Sequence, residues 1–241
     1  MSHLIKLDQP SLWIATASII FNPLFWNIVA RQGTYTTLSL SKPSAALTQP
    51  PHRLCTPEHK HKILTNLAFG KPHLGCYALA LTIFSLGILR DHLYTAALSQ
   101  QPKWYLLHYT EFKIVAALAF LSGAVLVASS MWALGVTGTY LGDYFGILMD
   151  EKVESFPFNV TDNPMYYGST LSFLGTALWY ESFAGLLLTA LVFVEYKIAL
   201  TYEEPFTAAI YAAREAARSK KGGKTVANKS ITASASKDKE L

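Results

Sequence analysis

The stretch from Asn163 to Phe206, NPMYYGSTLSFLGTALWYESFAGLLLTALVFVEYKIALTYEEPF, decides the fold. It holds two apolar runs, Met165 to Tyr180 and Phe183 to Leu200, separated only by Glu181-Ser182. Adjacent carboxylates, Glu203 and Glu204, close the second run, and Asn163-Pro164 opens the first. The two runs form either one span plus a surface segment or a tight helical hairpin. Counting Lys and Arg on each side discriminates, because cationic residues collect on one face of a membrane. In the hairpin, 31–71, 135–164 and the C-terminal tail share a face with fifteen positive residues, against four in 90–113 plus Lys6. With a single span the division is eleven against eight. The hairpin has the cleaner asymmetry, leaves Lys197 to snorkel near a helix end, and makes Asn163 and Glu203 neighbours, although its first run is short for a full crossing.

The rest of the chain agrees with a membrane setting. Over 241 residues, 51% are hydrophobic and 15% charged, with a mean hydropathy of +0.25, which is too apolar for an ordinary soluble domain. Leu74 to Leu89 and Ile114 to Leu134 are further apolar segments, the latter long enough to cross a core of about 30 Å. A polar link, Arg90 to Lys113, separates them. Leu12 to Ala30 is apolar but interrupted by Asn22-Pro23 and Asn27, so that a kinked, re-entrant or interfacial helix competes with a span. Arg31 to Lys71 reads as a polar connector. The expected class is therefore all-α, a polytopic membrane bundle of about four transmembrane helices, with a kinked or re-entrant N-terminal helix and an interfacial C-terminal one.

Residues 1–211 form the membrane-embedded unit, and 212–241 a basic, disordered cytosolic tail carrying eight of the twenty Lys and Arg. That tail suits anionic headgroups and lacks the interleaved aromatics of a nucleic-acid module, so no nucleic-acid partner is expected. Cys55 and Cys76 are read as packing residues, and His52, His59, His61 and His73 as solvated, so no metal is expected.

Two carboxylates beside lipid are costly unless a cation meets them. One reading makes Glu204 the start of a new helix, with Pro205 at its first position, where negative charge is favourable. The other places Glu203 and Glu204 against a bound ammonium or sulfonium. Tyr140, Tyr144, Phe145, Phe156, Phe158, Tyr166, Tyr167 and Tyr202 would suit an alkylated ammonium through cation–π attraction, while membrane-interface anchoring competes as their explanation.

The segments Gly138-Thr-Tyr-Leu-Gly-Asp-Tyr-Phe-Gly146, Phe156-Pro-Phe-Asn159, Asp162-Asn-Pro-Met-Tyr166, Gly168-Ser-Thr170 and Tyr202-Glu-Glu-Pro-Phe-Thr-Ala208, with Phe21-Asn-Pro-Leu-Phe-Trp-Asn27, resemble the short phospholipid N-methyltransferases. The resemblance implies S-adenosylmethionine as methyl donor, an aminophospholipid as substrate and no metal. It implies residence in the endoplasmic reticulum membrane with the C-terminus cytosolic, a mitochondrial membrane being the alternative. In that family the donor is assigned to a Gly-x-Gly in the third span and to the Glu pair. Here the first motif reads Leu121-Ser122-Gly123, which keeps one glycine, and Glu203-Glu204 match the second fully. The implied donor-binding residues are Ser122, Gly123, Glu203 and Glu204. Glu204, Asn163, Tyr166 and Asp143 are the expected catalytic set, with Asn163 and Tyr166 positioning donor or headgroup and Asp143 steering the amine. Asn163 as a helix cap and Asp143 as a turn former are the competing explanations. The expected activity covers the last two methylations leading to phosphatidylcholine. Rival readings are an isoprenylcysteine carboxyl methyltransferase, against which no Arg-His-Pro stands in place of Asn163-Pro164, and a non-catalytic membrane scaffold or transporter.

Overall fold

The computed structural model of the chain describes residues 4–31, 65–66, 68–149 and 153–237. Its long helices are α1 (Pro10–Arg31), α2 (Pro72–Gln100), α3 (Thr110–Thr139), α4 (Pro164–Trp179) and α5 (Phe183–Lys237). No strand occurs among the described residues, as a lipid environment requires of an open chain whose backbone must satisfy itself locally. Among the described residues three stretches, α2, α3 and Phe183–Ala209 of α5, are long and apolar enough to cross a membrane. At 16 residues α4 is shorter than these, so the structure supports a helical membrane protein with three such helices. Most of the polar connector, with Cys55, His52, His59 and His61, lies outside the described residues.

The hairpin forms as the short Glu181-Ser182 link suggests. Glu181 turns the chain with φ 55°, and the Ser182 backbone N–H donates to the Ala177 carbonyl at 3.0 Å. The Ser182 hydroxyl then accepts the Gly185 N–H at 3.1 Å, capping the start of α5. Glu181 is only 3% exposed and meets Lys113 at 2.7 Å, His108 at 3.2 Å and Lys103 at 3.7 Å. The Lys113 hydrogen bond, with help from the one to His108 and from the charges of Lys113 and Lys103, outweighs burial and lowers its pKa to about 2.

The helices pack in two ways. Against α3, α4 approaches through glycines: Gly123 and Gly168 face each other with no room for a side chain, and Gly175 meets Ala116 and Phe120. Small residues allow such close backbone approach between membrane helices. On its other side α4 joins α1, α2 and α5 around Ile19, Tyr94, Leu98, Phe173, Ala177, Leu188 and Val192. The Tyr94 hydroxyl lies at 3.1 Å from both the Phe173 and Gly185 carbonyls and 3.3 Å from the Thr189 hydroxyl, tying three helices together.

Two expectations about boundaries change. First, α2 runs on to Gln100, so that Arg90 belongs to the helix rather than to a polar link; Tyr94, Ala97 and Leu98 continue the buried face beyond the charge. Second, α5 continues through Pro205 to Lys237 instead of ending at Glu204 and restarting. A proline forfeits one ladder bond, and here Glu203 and Glu204 just before it are held by side chains from α1, α4 and the chain entering α4. The first apolar segment forms one helix, α1, with Pro23 inside it, Asn22 donating to the Leu86 carbonyl at 3.3 Å and Asn27 to the Pro23 carbonyl at 2.9 Å.

Among the described residues, Lys6, Gln101 and Lys103 meet at the hairpin end of the bundle, and Tyr140, Asn163 and Glu204 gather at the other. At the hairpin end Lys6 and Gln101 exchange hydrogen bonds of 2.9 and 3.0 Å, and Lys103 bridges to Ser182. At the other, Cys76 Sγ lies 3.5 Å from the Tyr140 carbonyl, and Asn163 meets Glu204.

Candidate active site

A cavity of about 1450 Å³ opens among all five helices and the 140–163 connection. Sites that bury a single drug-sized ligand typically occupy about 300–1,000 Å³, so this one has space for two molecules side by side. Glu203, Glu204, Asn163, Tyr166 and Asp143 all line it.

Hydrogen bonds fix the carboxylate pair. Tyr166 OH donates to Glu203 Oε2, and Trp26 Nε1 donates to Oε1 of the same residue at 3.4 Å. Asn163 Nδ2 donates to Glu204 Oε1 at 2.9 Å. Asn163 occupies the N-cap position of α4, yet its side chain makes no capping bond. It reaches across to α5 instead, which tells against the purely structural explanation offered by its place in the sequence. Asp143 sits in a single 3₁₀ turn, Gly142–Phe145, where its carboxylate accepts from Thr207 Oγ1 at 3.4 Å. One turn further along α5, Tyr211 OH accepts the Met149 N–H at 3.3 Å, and Arg214 donates to the Met149 carbonyl. The connection is thereby laid along one face of α5, from Glu204 to Arg214, roofing the cavity with acidic and aromatic groups.

Of the aromatics singled out in the sequence, Tyr140, Phe158 and Tyr166 line the cavity. Burial raises the Tyr140 phenol above its ordinary pKa, so it stays neutral. Tyr167 instead receives Lys197 over its ring at 5.9 Å, while Phe156 and Tyr202 are about half exposed. The side chain of Tyr144 lies outside what is described.

Ser122 and Gly123 do not line the cavity. Ser122 is exposed on the outer side of α3, and Gly123 is buried against Gly168 and Ser172 of α4. The cavity-facing stripe of α3 is Phe120, Ala124, Val127, Ala128 and Met131, spaced by three and four residues as one helix face requires. Gly123 on this geometry is a packing glycine.

The family model for phospholipid methyltransferase matches residues 112–214, which include Asp143, Asn163, Tyr166, Glu203 and Glu204. A phosphatidyl-N-methylethanolamine N-methyltransferase from Emericella nidulans is 52% identical over 226 residues, 93% of this chain and 98% of that protein. The chain belongs to the phospholipid methyltransferase family. A protein of the same name from Saccharomyces cerevisiae is 49% identical, covering 90% of this chain and 92% of its own length. A phosphatidylethanolamine N-methyltransferase from Homo sapiens is 47% identical, covering 84% and 89%. No solved structure matches this chain.

In this phospholipid methyltransferase the site also recruits residues that sequence reasoning passed over. Trp26 was legible only as part of the resemblance around Phe21 to Asn27, with no partner to suggest its role. Arg90, Tyr196 and Ser169 line the same cavity. Arg90 was hidden because a charge between two apolar runs marks a boundary by default, although Tyr94 and Leu98 at helical spacing behind it were the available signal.

Proposed function

We propose that this methyltransferase transfers methyl groups from S-adenosylmethionine to the headgroup nitrogen of aminophospholipids, chiefly in the last two steps, from the monomethyl lipid through the dimethyl lipid to phosphatidylcholine. The observation that carries the reading is the junction of Glu203 and Glu204 with Tyr166, Trp26 and Asn163 at one end of a cavity large enough for donor and headgroup together. The relatives from Emericella nidulans and Saccharomyces cerevisiae are called phosphatidyl-N-methylethanolamine N-methyltransferases, which favours the later steps. Neither a prenylcysteine carboxyl methyltransferase nor a scaffold is supported by those names.

The donor set fits S-adenosylmethionine by its chemistry: two carboxylates for an ammonium, flanked by the indole of Trp26 and the phenol of Tyr166. When bound, S-adenosylmethionine supplies a methyl group on a positively charged sulfur. Glu203 and Glu204 hold the donor's ammonium end, and Trp26, Tyr166 and Asn163 hold the carboxylates in turn. Asp143, tethered to Thr207 one turn along α5 from Glu203, steers the substrate amine. The largely apolar wall from α3 excludes water and favours the neutral, nucleophilic amine. A new N–CH₃ bond forms as the S–CH₃ bond breaks, and one proton leaves the headgroup nitrogen for each methyl transferred, because the monomethyl and dimethyl headgroups both start as ammonium ions. Among the described residues no group of three His, Cys, Asp or Glu side chains is placed to hold a metal ion.

The membrane is the endoplasmic reticulum in this reading, a mitochondrial membrane being the alternative, with the Glu203 end and residues 212–241 facing the cytosol. The test is methylation of vesicles containing each of the three aminophospholipids by wild-type protein and Glu204→Gln. Wild type should convert the monomethyl and dimethyl lipids, and Glu204→Gln should raise the donor KM by about tenfold or more, the loss of one charged hydrogen bond. Unchanged rates and donor binding in the variant would overturn the assignment.

A further inference from the structure

Arg90 lies in the middle of a membrane helix, ten residues from the end of α2, with its side chain 11% exposed and set in the cavity wall. A cation at that depth is costly unless it has a task. Its guanidinium carries five N–H donors. Nε and one terminal nitrogen reach the same oxygen of Asp91, at 3.0 and 2.9 Å, and the other terminal nitrogen donates to Tyr196 OH at 2.8 Å. Two N–H groups remain uncommitted. The guanidinium carbon lies over the Phe173 ring, 4.8 Å from its centre. Asp91 itself is 59% exposed, so the arginine, and not its counter-ion, is the buried partner of the pair.

Around it the wall is polar. Tyr196 OH lies 3.0 Å from Ser169 Oγ, and the Tyr196 ring packs edge-on against Tyr166, whose hydroxyl holds Glu203. Tyr196 precedes Glu203 by seven residues, about 10 Å of helical rise. One cavity thus presents carboxylates near its outer end and an arginine roughly 10 Å further in. A phospholipid entering from the leaflet on the Glu203 side presents groups in the same order, with its amine outermost, its phosphodiester deeper and its acyl chains beyond.

We propose that Arg90, assisted by Tyr196 and Ser169, binds the phosphodiester of the lipid substrate and so sets how far the headgroup nitrogen reaches toward the carboxylate end. This rests on the methyltransferase reading above and adds to it a recognition site for the lipid's anion. The open donors of a guanidinium match two phosphate oxygens at once, which a lysine ammonium reproduces only as a point charge. Asp91 neutralises the arginine when lipid is absent, which makes its burial tolerable.

The test compares monomethyl phosphatidylethanolamine with its O-methyl phosphotriester, which has the same amine and chains but no phosphate charge, in otherwise identical vesicles. Wild type should show a lipid KM about ten- to a hundredfold lower for the phosphodiester, the value of a charged hydrogen-bond pair. Arg90→Gln should lose that preference while its donor KM stays within twofold, and Arg90→Lys should retain part of it. A wild type that methylates both lipids equally well, or an Arg90→Gln variant that keeps the preference, refutes the proposal. So does a rise confined to the donor KM, which would assign the arginine to the donor's own carboxylate. Should Arg90→Gln not fold, the wild-type comparison of the two lipids decides. A wild type that methylates neither lipid sinks the methyltransferase reading instead, which separates the two failures.

Discussion

Substituting Gly123 by alanine separates packing from donor binding at the one place where family resemblance and geometry diverge. A Cβ on Gly123 would stand 2.6 Å from Ser172 Oγ and 2.8 Å from the Ser172 backbone nitrogen, and closer still to the Gly168 carbonyl oxygen. The facing glycine is equally crowded, for a Cβ on Gly168 would meet the Gly123 carbonyl at 2.8 Å. Backbone atoms of a helix cannot rotate aside, so α3 and α4 must separate by several tenths of an ångström. Overpacking of this kind costs about 1–3 kcal/mol, and a clash with backbone belongs at the upper end. For a chain of this size about 2–3 kcal/mol corresponds to roughly 5–10 °C in the midpoint of thermal unfolding. The assay is thermal unfolding of the detergent-solubilised protein alongside donor and lipid KM values. The expected result is a lower midpoint for Gly123→Ala, with Ser122→Ala, on the exposed side of α3, within the error of wild type in both measurements. An unchanged midpoint with a raised donor KM would refute this reasoning and return Gly123 to the donor site.

Two further predictions concern the scaffold. Because the Glu181 pKa is lowered from 4.5 to about 2, its stabilisation is fully present above pH 4.5 and is lost as pH falls toward 2. Glu181→Gln should therefore be less stable than wild type at pH 7, and the difference should shrink across that acid window; a gap independent of pH would contradict it. Tyr94→Phe removes a buried hydroxyl shared by the Phe173 and Gly185 carbonyls and Thr189, and should cost about 1 kcal/mol, or roughly 2–4 °C, while leaving the donor KM unchanged.

The parts of the molecule legible in the sequence were those carried by composition and short-range pattern. The short Glu181-Ser182 break allowed a reversal and the charge count favoured it over a single span, and the reversal brings Asn163 to Glu204. Pro205 misled because a proline's local preference was weighed without the contacts that hold the helix through it. Tyr166, Trp26 and Asn163 secure the turn preceding Pro205. Gly123 shows the converse, since a glycine in a membrane helix fits a backbone site for a ligand and a helix crossing equally well until its neighbour is known. Only the α4 glycine opposite it decides.

The long-range partners of Arg90 explain why the acidic mouth of the cavity is not an isolated feature. Glu203 and Glu204 bring two negative charges to a largely apolar wall, which suit the headgroup's ammonium but leave its phosphodiester without a partner. Arg90 supplies the opposite sign further in, and the Tyr166–Tyr196 ring pair links the two regions through groups that are neutral and rigid. A headgroup that is itself a cation followed by an anion then finds complementary charges along the cavity, the carboxylates of α5 first and Arg90 of α2 second. Reversing either charge should turn the lipid around or exclude it, whereas a soluble amine without a phosphate would feel only the outer half. Selection of a phospholipid over a free amine therefore follows from the seven-residue spacing of Tyr196 and Glu203, not from the carboxylates by themselves.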